Sequence, residues 1–318
     1  MKPIRIGTRG SALALWQANY VADELKRLHG VETELVRIRT SGDRMQSASV
    51  AQINEQIGSQ NGSKGIFIKE LEEALLAGTI DLAVHSMKDV PTETPTGLAF
   101  PAITRREDPR DCLISRAGRT LRYLPPGARV GTSSLRRQAQ IRHHRPDLDL
   151  LDLRGNVDTR LKKLESGEFD AIVLAMAGVN RLGLAGKITQ VLGEDVMLPA
   201  VGQGALGIET RVDDRATSQF VAALDDAETR ACITAERALL QALQGGCQVP
   251  LGALATLRGG ELHLEAGVFS AAGSEYVRSS ENGLPEEAQQ IGVRLATAMI
   301  EEGADRILRL AGRSVGQG

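Results

Sequence analysis

The chain has 318 residues, 42% of them hydrophobic, and no apolar run of membrane-spanning length, which suits two or three domains and excludes a transmembrane anchor. A formal net charge of −2 argues against a general nucleic-acid binder. Its three cysteines, Cys112, Cys232 and Cys247, form no disulfide framework, and no CxxC or HxxxH spacing suggests a metal site. A strand beginning at Ile4 leaves no room for a signal peptide, so a reducing, cytoplasmic setting without metal is expected.

Residues 4–6 read as a short strand, and Ser11 as the N-cap of a helix running to Leu28. A strand at 34–38 and a polar stretch lead to a helix over 66–77 and a strand at 82–84. After 91–101 the pattern resumes with strands at 111–114 and 129–131, a helix over 134–144 and a strand at 150–153. A helix over 157–165 and a strand at 171–175 follow. From about Asp225 the character changes. A helix to Gln244 enters the loop Gly245-Gly246-Cys247-Gln248-Val249-Pro250. Strand-like runs at 249–257, 262–269 and 275–278 and one amphipathic helix from Pro285 to about Leu310 complete a small α+β domain.

The first two parts resemble each other. Residues 78–87 align with 167–176, each after a Leu-rich helix, and 6–11 match 130–134 at a strand-to-helix turn. Two similar βα lobes imply a cleft lined by helix N-termini, which attract anions. Thr8, Ser11, Thr132, Ser133 and Ser134 lie at those turns. Ordinary capping accounts for one hydroxyl per helix, not three in a row followed by Arg136-Arg137. Of 38 basic residues only 8 are Lys, and 13 of the Arg lie between Arg105 and Arg160. A GC-rich genome explains that ratio. It does not explain why Arg9, Arg136, Arg137, Arg154 and Arg160 all follow predicted strands, where guanidinium forks suit carboxylates.

Cys247 sits between a Gly-Gly pair and a proline, a setting that displays the sulfur at a loop tip. The alternative is a small buried hydrophobe beside a turn. A cysteine hydrolase needs a histidine base on the thiol, and only His85 is a candidate. Asp89, in His85-Ser86-Met87-Lys88-Asp89-Val90-Pro91, can stabilise a developing cation or simply pair with Lys88 or an arginine. Residues 53–63 read as a polar, glycine-ended lid whose spacing is wrong for a P-loop.

Five motifs carry a family resemblance: residues 83–91, Gly131-Thr132-Ser133-Ser134-Leu135-Arg136-Arg137-Gln138, Leu153-Arg154-Gly155-Asn156-Val157, Ala200-Val201-Gly202-Gln203-Gly204-Ala205 and Gly245–Pro250. Together and in order they resemble the porphobilinogen deaminases, or hydroxymethylbilane synthases, over essentially the whole chain. The resemblance implies an α/β fold of two lobes of the type II periplasmic-binding-protein kind with a cleft, plus a C-terminal α+β domain. The implied boundaries are 1–104 with about 200–222, an inserted 105–199, and 223–318. It implies condensation of four porphobilinogen molecules, with loss of ammonia, on a dipyrromethane cofactor held by a thioether to Cys247. Asp89 matches the catalytic carboxylate. Ser86, Lys88, Thr132, Ser133, Ser134, Arg136, Arg137 and Arg154 match cofactor-binding positions, and Arg9, Ser11, Phe67, Arg154, Arg160 and Gln203 substrate-binding ones. A cytoplasmic monomer working without membrane, nucleic acid or metal is expected. The lid is longer than in many relatives and lacks a basic residue that some carry just upstream. Two rivals are a non-catalytic anion-binding protein of the same lobe type and a nucleic-acid module using residues 136–145.

Overall fold

The computed structural model describes residues 2–38, 40, 68–243 and 249–315; Phe67, Cys247 and the expected lid at 53–63 lie outside them. In chain order the first elements are β1 (Ile4–Thr8), α1 (Ala12–His29), β2 (Thr33–Arg37), α2 (Lys69–Leu76), β3 (Leu82–Ser86) and β4 (Leu98–Ile103). Then come β5 (Asp111–Ser115), β6 (Arg129–Gly131), α3 (Leu135–His144), β7 (Asp149–Leu151), α4 (Val157–Glu165), β8 (Ala171–Ala175), α5 (Met176–Arg181) and β9 (Gln190–Leu192). The last are β10 (Leu206–Arg211), α6 (Arg215–Ala222), α7 (Ala227–Ala242), β11 (Leu251–Arg258), β12 (Glu261–Phe269), β13 (Tyr276–Gly283), α8 (Ala288–Glu301) and α9 (Ala304–Val315).

Two compact units share these elements: Met1–Arg106 with Ala205–Arg230, and Glu107–Gly204 with Ala231–Gly318. The first holds a sheet ordered β2-β1-β3-β10-β4, the second a sheet ordered β7-β6-β8-β5-β9 and a separate antiparallel sheet β11-β12-β13. In the first, β1 runs parallel to β2 and β3, and β10 returns antiparallel between β3 and β4. In the second, β6 runs parallel to β7 and β8, and β5 is antiparallel to β8 and β9. The two sheets therefore repeat one topology. This is the expected two-lobe α/β class with an α+β portion after it.

The repeat extends to single atoms. Arg5 donates from its backbone N and Nε to Asp81 Oδ2 (2.9 and 3.0 Å) and from Nη2 to Gly78 O at 2.8 Å. Arg129 makes the same set with Asp170 Oδ2 (2.9 and 3.3 Å) and Gly167 O at 2.9 Å. Just before β3 and β8 an apolar side chain packs on a glycine of the neighbouring strand, Ile80 on Gly7 of β1 and Phe169 on Gly131 of β6, where a Cβ would stand 2.8 Å from Phe169 Cδ1. The aligned segments 78–87 and 167–176 are thus structural counterparts.

Both mixed sheets are covered on two faces, which explains why their central strands read as continuous apolar runs. Ile6, Leu82, Val84 and Ile208 pack with Val21 and Leu25 of α1, while Ala83 and Ile80 pack on Leu71 and Leu75 of α2. In the second unit Leu113, Val130 and Val173 face Ile141, and Ile114, Ile172 and Leu174 face Leu161 and Leu164. The third sheet lays Leu262, Leu264, Ala266 and Val268 against Leu239, Ile291, Leu295 and Met299. Each such aliphatic side chain contributes about 1.5–3 kcal/mol on burial.

Several elements depart from expectation. β4, β9, β10, α5 and α6 were not anticipated, and β13 extends to Gly283 through the polar run Ser279-Ser280-Glu281-Asn282. The single helix expected over 285–310 is two, because Gly303 takes φ 95° between α8 and α9. That left-handed conformation ends one helix and lets the next begin at a new angle.

Candidate active site

Parallel β1 and β3 are neighbours, so the turns that leave their C-terminal ends lie along one edge of the first sheet. Leaving β1, Thr8 Oγ1 donates to Ala14 O at 3.1 Å, and Ser11 (φ −71°, ψ 149°) caps α1 by accepting from Ala14 N at 3.3 Å. Arg9, between them, is half-buried. Leaving β3, Ser86 Oγ accepts from Gln17 Nε2 of α1 at 2.9 Å, tying helix to strand end. A single 3-10 turn, Met87–Asp89, follows. Buried Met87 and Val90 pin it at either side, with Met87 N donating to Ala205 O and Val90 N to Met87 O (3.0 and 3.2 Å). Lys88 and Asp89 are left as the half-buried, solvent-facing pair of that turn. Among the described residues Asp89 makes no ion pair and no side-chain hydrogen bond, so the expected alternative of a structural pair with Lys88 does not apply.

His85 points the other way along the strand. It is buried, with Nε2 2.9 Å from Glu209 Oε2 of β10 and its ring edge-on to Phe100. An imidazole committed to a fully buried glutamate is not available as the base of a cysteine hydrolase.

In the second unit the turn after β6 carries Thr132-Ser133-Ser134 into α3. Ser134 (φ −82°, ψ 114°) is the N-cap, accepting from Arg137 N at 3.5 Å, and Thr132 Oγ1 accepts from Ser134 N at 3.2 Å. Two of the three hydroxyls therefore satisfy the helix end. The third is not used this way: Ser133 Oγ is buried with no hydrogen-bond partner among the described residues. Arg154, on the turn after β7, is 68% exposed and 3.7 Å from Asp152, a loose surface pair. Arg160 on α4 donates from Nε to Gly155 O at 2.7 Å, fixing the same turn.

Arg136 and Arg137 differ from expectation. Rather than opening their forks outward, both are buried on α3 and bind Asp111 at the start of β5. Arg136 Nη1 lies 2.7 Å from Oδ2, and Arg137 Nη2 lies 2.7 Å from Oδ1. Gln203 Nε2 reaches the same Oδ1 at 2.9 Å and Pro109 O at 2.6 Å. The reason is that a fully buried carboxylate must be compensated. Burial opposes ionisation of Asp111, but the two guanidiniums outweigh it and hold its carboxyl far below the ordinary carboxylate value. Sequence spacing gave no sign of Asp111, which stands outside every motif and meets its partners from 25, 26 and 92 residues away.

The nucleic-acid reading of 136–145 fails on the same geometry. Residues from Arg136 to Ile141 are buried, Arg142 Nη1 donates to Ala271 O at 2.8 Å, and His143 Nδ1 lies 3.0 Å from Gly273 O. Two thiols are sealed as well. Cys112 is fully buried, and burial pushes its thiol up to about 12, while Cys232 sits in the core under β11–β13. The described residues hold no cluster of side chains fit for a metal ion.

Residues 4–219 match the family model described as porphobilinogen deaminase, dipyromethane cofactor binding domain, and residues 230–301 the model described as porphobilinogen deaminase, C-terminal domain. A porphobilinogen deaminase of Pelobacter propionicus is 49% identical over 315 residues, covering 99% of this chain and 96% of that one. One from Syntrophotalea carbinolica is 50% identical over 306 residues, covering 96% and 95%. Among solved structures, the methionine binding protein MetQ overlays with a TM-score of 0.43 at 14% identity, over 70% of this chain and 89% of that one. With both family models in chain order and full-length relatives at this identity, the chain belongs to the porphobilinogen deaminase family.

Proposed function

We infer that the chain catalyses its family's reaction, joining four porphobilinogen molecules head to tail, releasing ammonia at each step, and yielding hydroxymethylbilane when water releases the four-ring chain from its primer. At each addition the aminomethyl C–N bond breaks, a C–C bond forms to a free pyrrole α-carbon, and that carbon loses its proton. The observation that carries the reading is Asp89, a half-buried carboxylate held between buried Met87 and Val90 beside Lys88, with no ion pair among the described residues. Its charge stabilises the azafulvene cation that develops as ammonia departs, and its oxygens accept hydrogen bonds from pyrrole N–H groups. One well-placed group of this kind contributes roughly 3–4 kcal/mol.

The family cofactor is dipyrromethane, whose acetate and propionate groups need cationic and hydroxyl partners. Ser133, whose buried hydroxyl at the N-terminus of α3 has no hydrogen-bond partner among the described residues, fits an incoming carboxylate. When bound, the cofactor supplies the free α-carbon on which the chain grows. Ser86, Lys88, Thr132, Ser133, Ser134, Arg136 and Arg154 hold its carboxylates, Arg137 contributing through its bonds to Asp111, and Arg9, Ser11, Arg160 and Gln203, with Phe67, serve the substrate side. Cys247 is the attachment thiol. Supporting this, the other two cysteines are buried, and Cys112 is held protonated by that burial.

Residues 223–318 act as the attachment domain, and 1–104 with about 200–222 and 105–199 as the two binding lobes. The enzyme works as a cytoplasmic monomer on a small-molecule substrate, without membrane or nucleic acid. In support, no described helix is long and apolar enough to cross a membrane. Intact-protein mass spectrometry tests the reading. A covalent two-ring adduct, growing by single rings when porphobilinogen is added, is expected. A protein of the bare chain mass that turns over no porphobilinogen would overturn it.

A further inference from the structure

Asp111 is 0% exposed, and its partners Arg136 and Arg137 are 5% and 6% exposed. Two guanidiniums against one carboxylate leave a surplus positive charge in a nearly dry place. The two arginines are not equivalent. Arg137 engages Nε and Nη2 with Asp111 Oδ1 (3.2 and 2.7 Å) and Nη1 with Val173 O at 3.0 Å. Arg136 engages Nη1 alone, with Asp111 Oδ2 at 2.7 Å and Leu198 O at 2.6 Å, so its Nε and Nη2 have no partner among the described residues. Beside them the N-terminal turn of α3 adds positive potential, and Ser133 Oγ is buried without a hydrogen bond among the described residues. Surplus charge and orphaned hydroxyl are independent observations, and both call for one more anionic oxygen group.

We propose that Asp111 is a positioning residue for carboxylate binding: it clamps Arg137, orients Arg136, and leaves the cluster one charge short of neutrality, which one carboxylate of the pyrrole chain completes. Arg137 is then part of the clamp, and Arg136 is the side chain that meets the ligand. A carboxylate on Asp111 sets the number of anionic groups taken up here at one, because a second would face an already neutral, desolvated group. The inference rests on the reading above that pyrrole carboxylates bind at this turn.

The test uses full-length protein made without its primer and offered preformed hydroxymethylbilane, with adduct formation read by intact mass at several ligand concentrations. Wild type, Asp111→Asn, Arg136→Leu and the double variant are compared, with thermal midpoints alongside. Asp111→Asn is expected to raise the half-saturating concentration about tenfold or more, with the maximal loading rate largely kept. The double variant is expected to load no worse than Arg136→Leu, since both changes act through one guanidinium. Sulfate should raise the midpoint of Asp111→Asn more than that of wild type, because the variant cluster carries two uncompensated charges. Additive losses, or wild-type half-saturation in folded Asp111→Asn, overturn the proposal. If Asp111→Asn does not fold, Gln203→Met, which removes the third donor to Oδ1 together with the bond to Pro109 O, carries the test, and wild-type half-saturation there overturns it equally. No adduct on the wild type would overturn the proposed reaction, and this inference with it, whereas a loading wild type with an unaffected Asp111→Asn overturns this inference alone.

Discussion

Asp89 and Asp111 are both aspartates, and burial separates their work. Asp89 stands on a half-buried turn with no ion pair among the described residues, while Asp111 is enclosed by two guanidiniums and an amide. Asp89 was legible because strand, turn and carboxylate are contiguous in sequence. Asp111 was not, because long-range contacts give it its role. Asp89→Asn is expected to lower ring addition in single turnover by about 100-fold or more, with loading from preformed tetrapyrrole retained, and Asp89→Glu to keep slow turnover. Ring addition at the wild-type rate in Asp89→Asn would transfer the catalytic role to another carboxylate. The cysteines divide similarly. Cys247→Ser should fold and carry no two-ring adduct, whereas Cys112→Ala and Cys232→Ala should keep it, at a cost confined to thermal stability. Loss of the adduct in either core variant would move the attachment site.

At the scale of elements, legibility followed solvent contrast. α4 and β8 match expectation to the residue, because amphipathic spacing and an apolar run bounded by a glycine turn are unambiguous. β10 was invisible for a physical reason. It is buried on both faces yet carries Glu209 and Thr210, which only His85 and Ser218 from elsewhere make tolerable. Its Gly207 further breaks any strand-like pattern, and a Cβ there would stand 2.9 Å from Phe100 Cδ1. The repeated glycine contact yields a prediction. Gly131→Ala places a methyl carbon 2.8 Å from Phe169 Cδ1 and 3.0 Å from Leu153 Cδ2, both fully enclosed. It should cost about 1–3 kcal/mol in chemical unfolding, and Phe169→Leu in the same chain should restore part of it. Gly10→Ala, with open space around it, should be close to neutral. Equal effects at the two glycines would mean the β6–β8 approach is not as close as described.

Over the whole molecule, the fold class was legible because two copies of one βα pattern and a change of character near residue 225 survive in the sequence. The charge economy was not, since a net charge of −2 conceals carboxylates locked to arginines inside both units. Asp111 is the extreme case, and Asp81 and Asp170, the repeat-related pair, are also held below the ordinary value. For Asp81 burial opposes the shift and Arg5 overcomes it; for Asp170 the backbone and side chain of Arg129 lead. A carboxylate whose folded value lies below its unfolded one binds fewer protons when folded. Its stabilisation is complete above the unfolded value and is lost as pH falls toward the folded one. The contribution of these three carboxylates to stability should therefore hardly change from neutral pH down to about 5 and fall steadily below about 4. Asp111→Asn has no such proton to take up. It should be less stable than wild type at pH 7 and show a shallower acid slope, so the two curves of unfolding free energy converge as pH drops. The measurement is denaturant unfolding of both primer-free proteins across that range. Parallel curves would mean that folding leaves the acidity of Asp111 unchanged, and that Arg136 and Arg137 are balanced by something other than its charge.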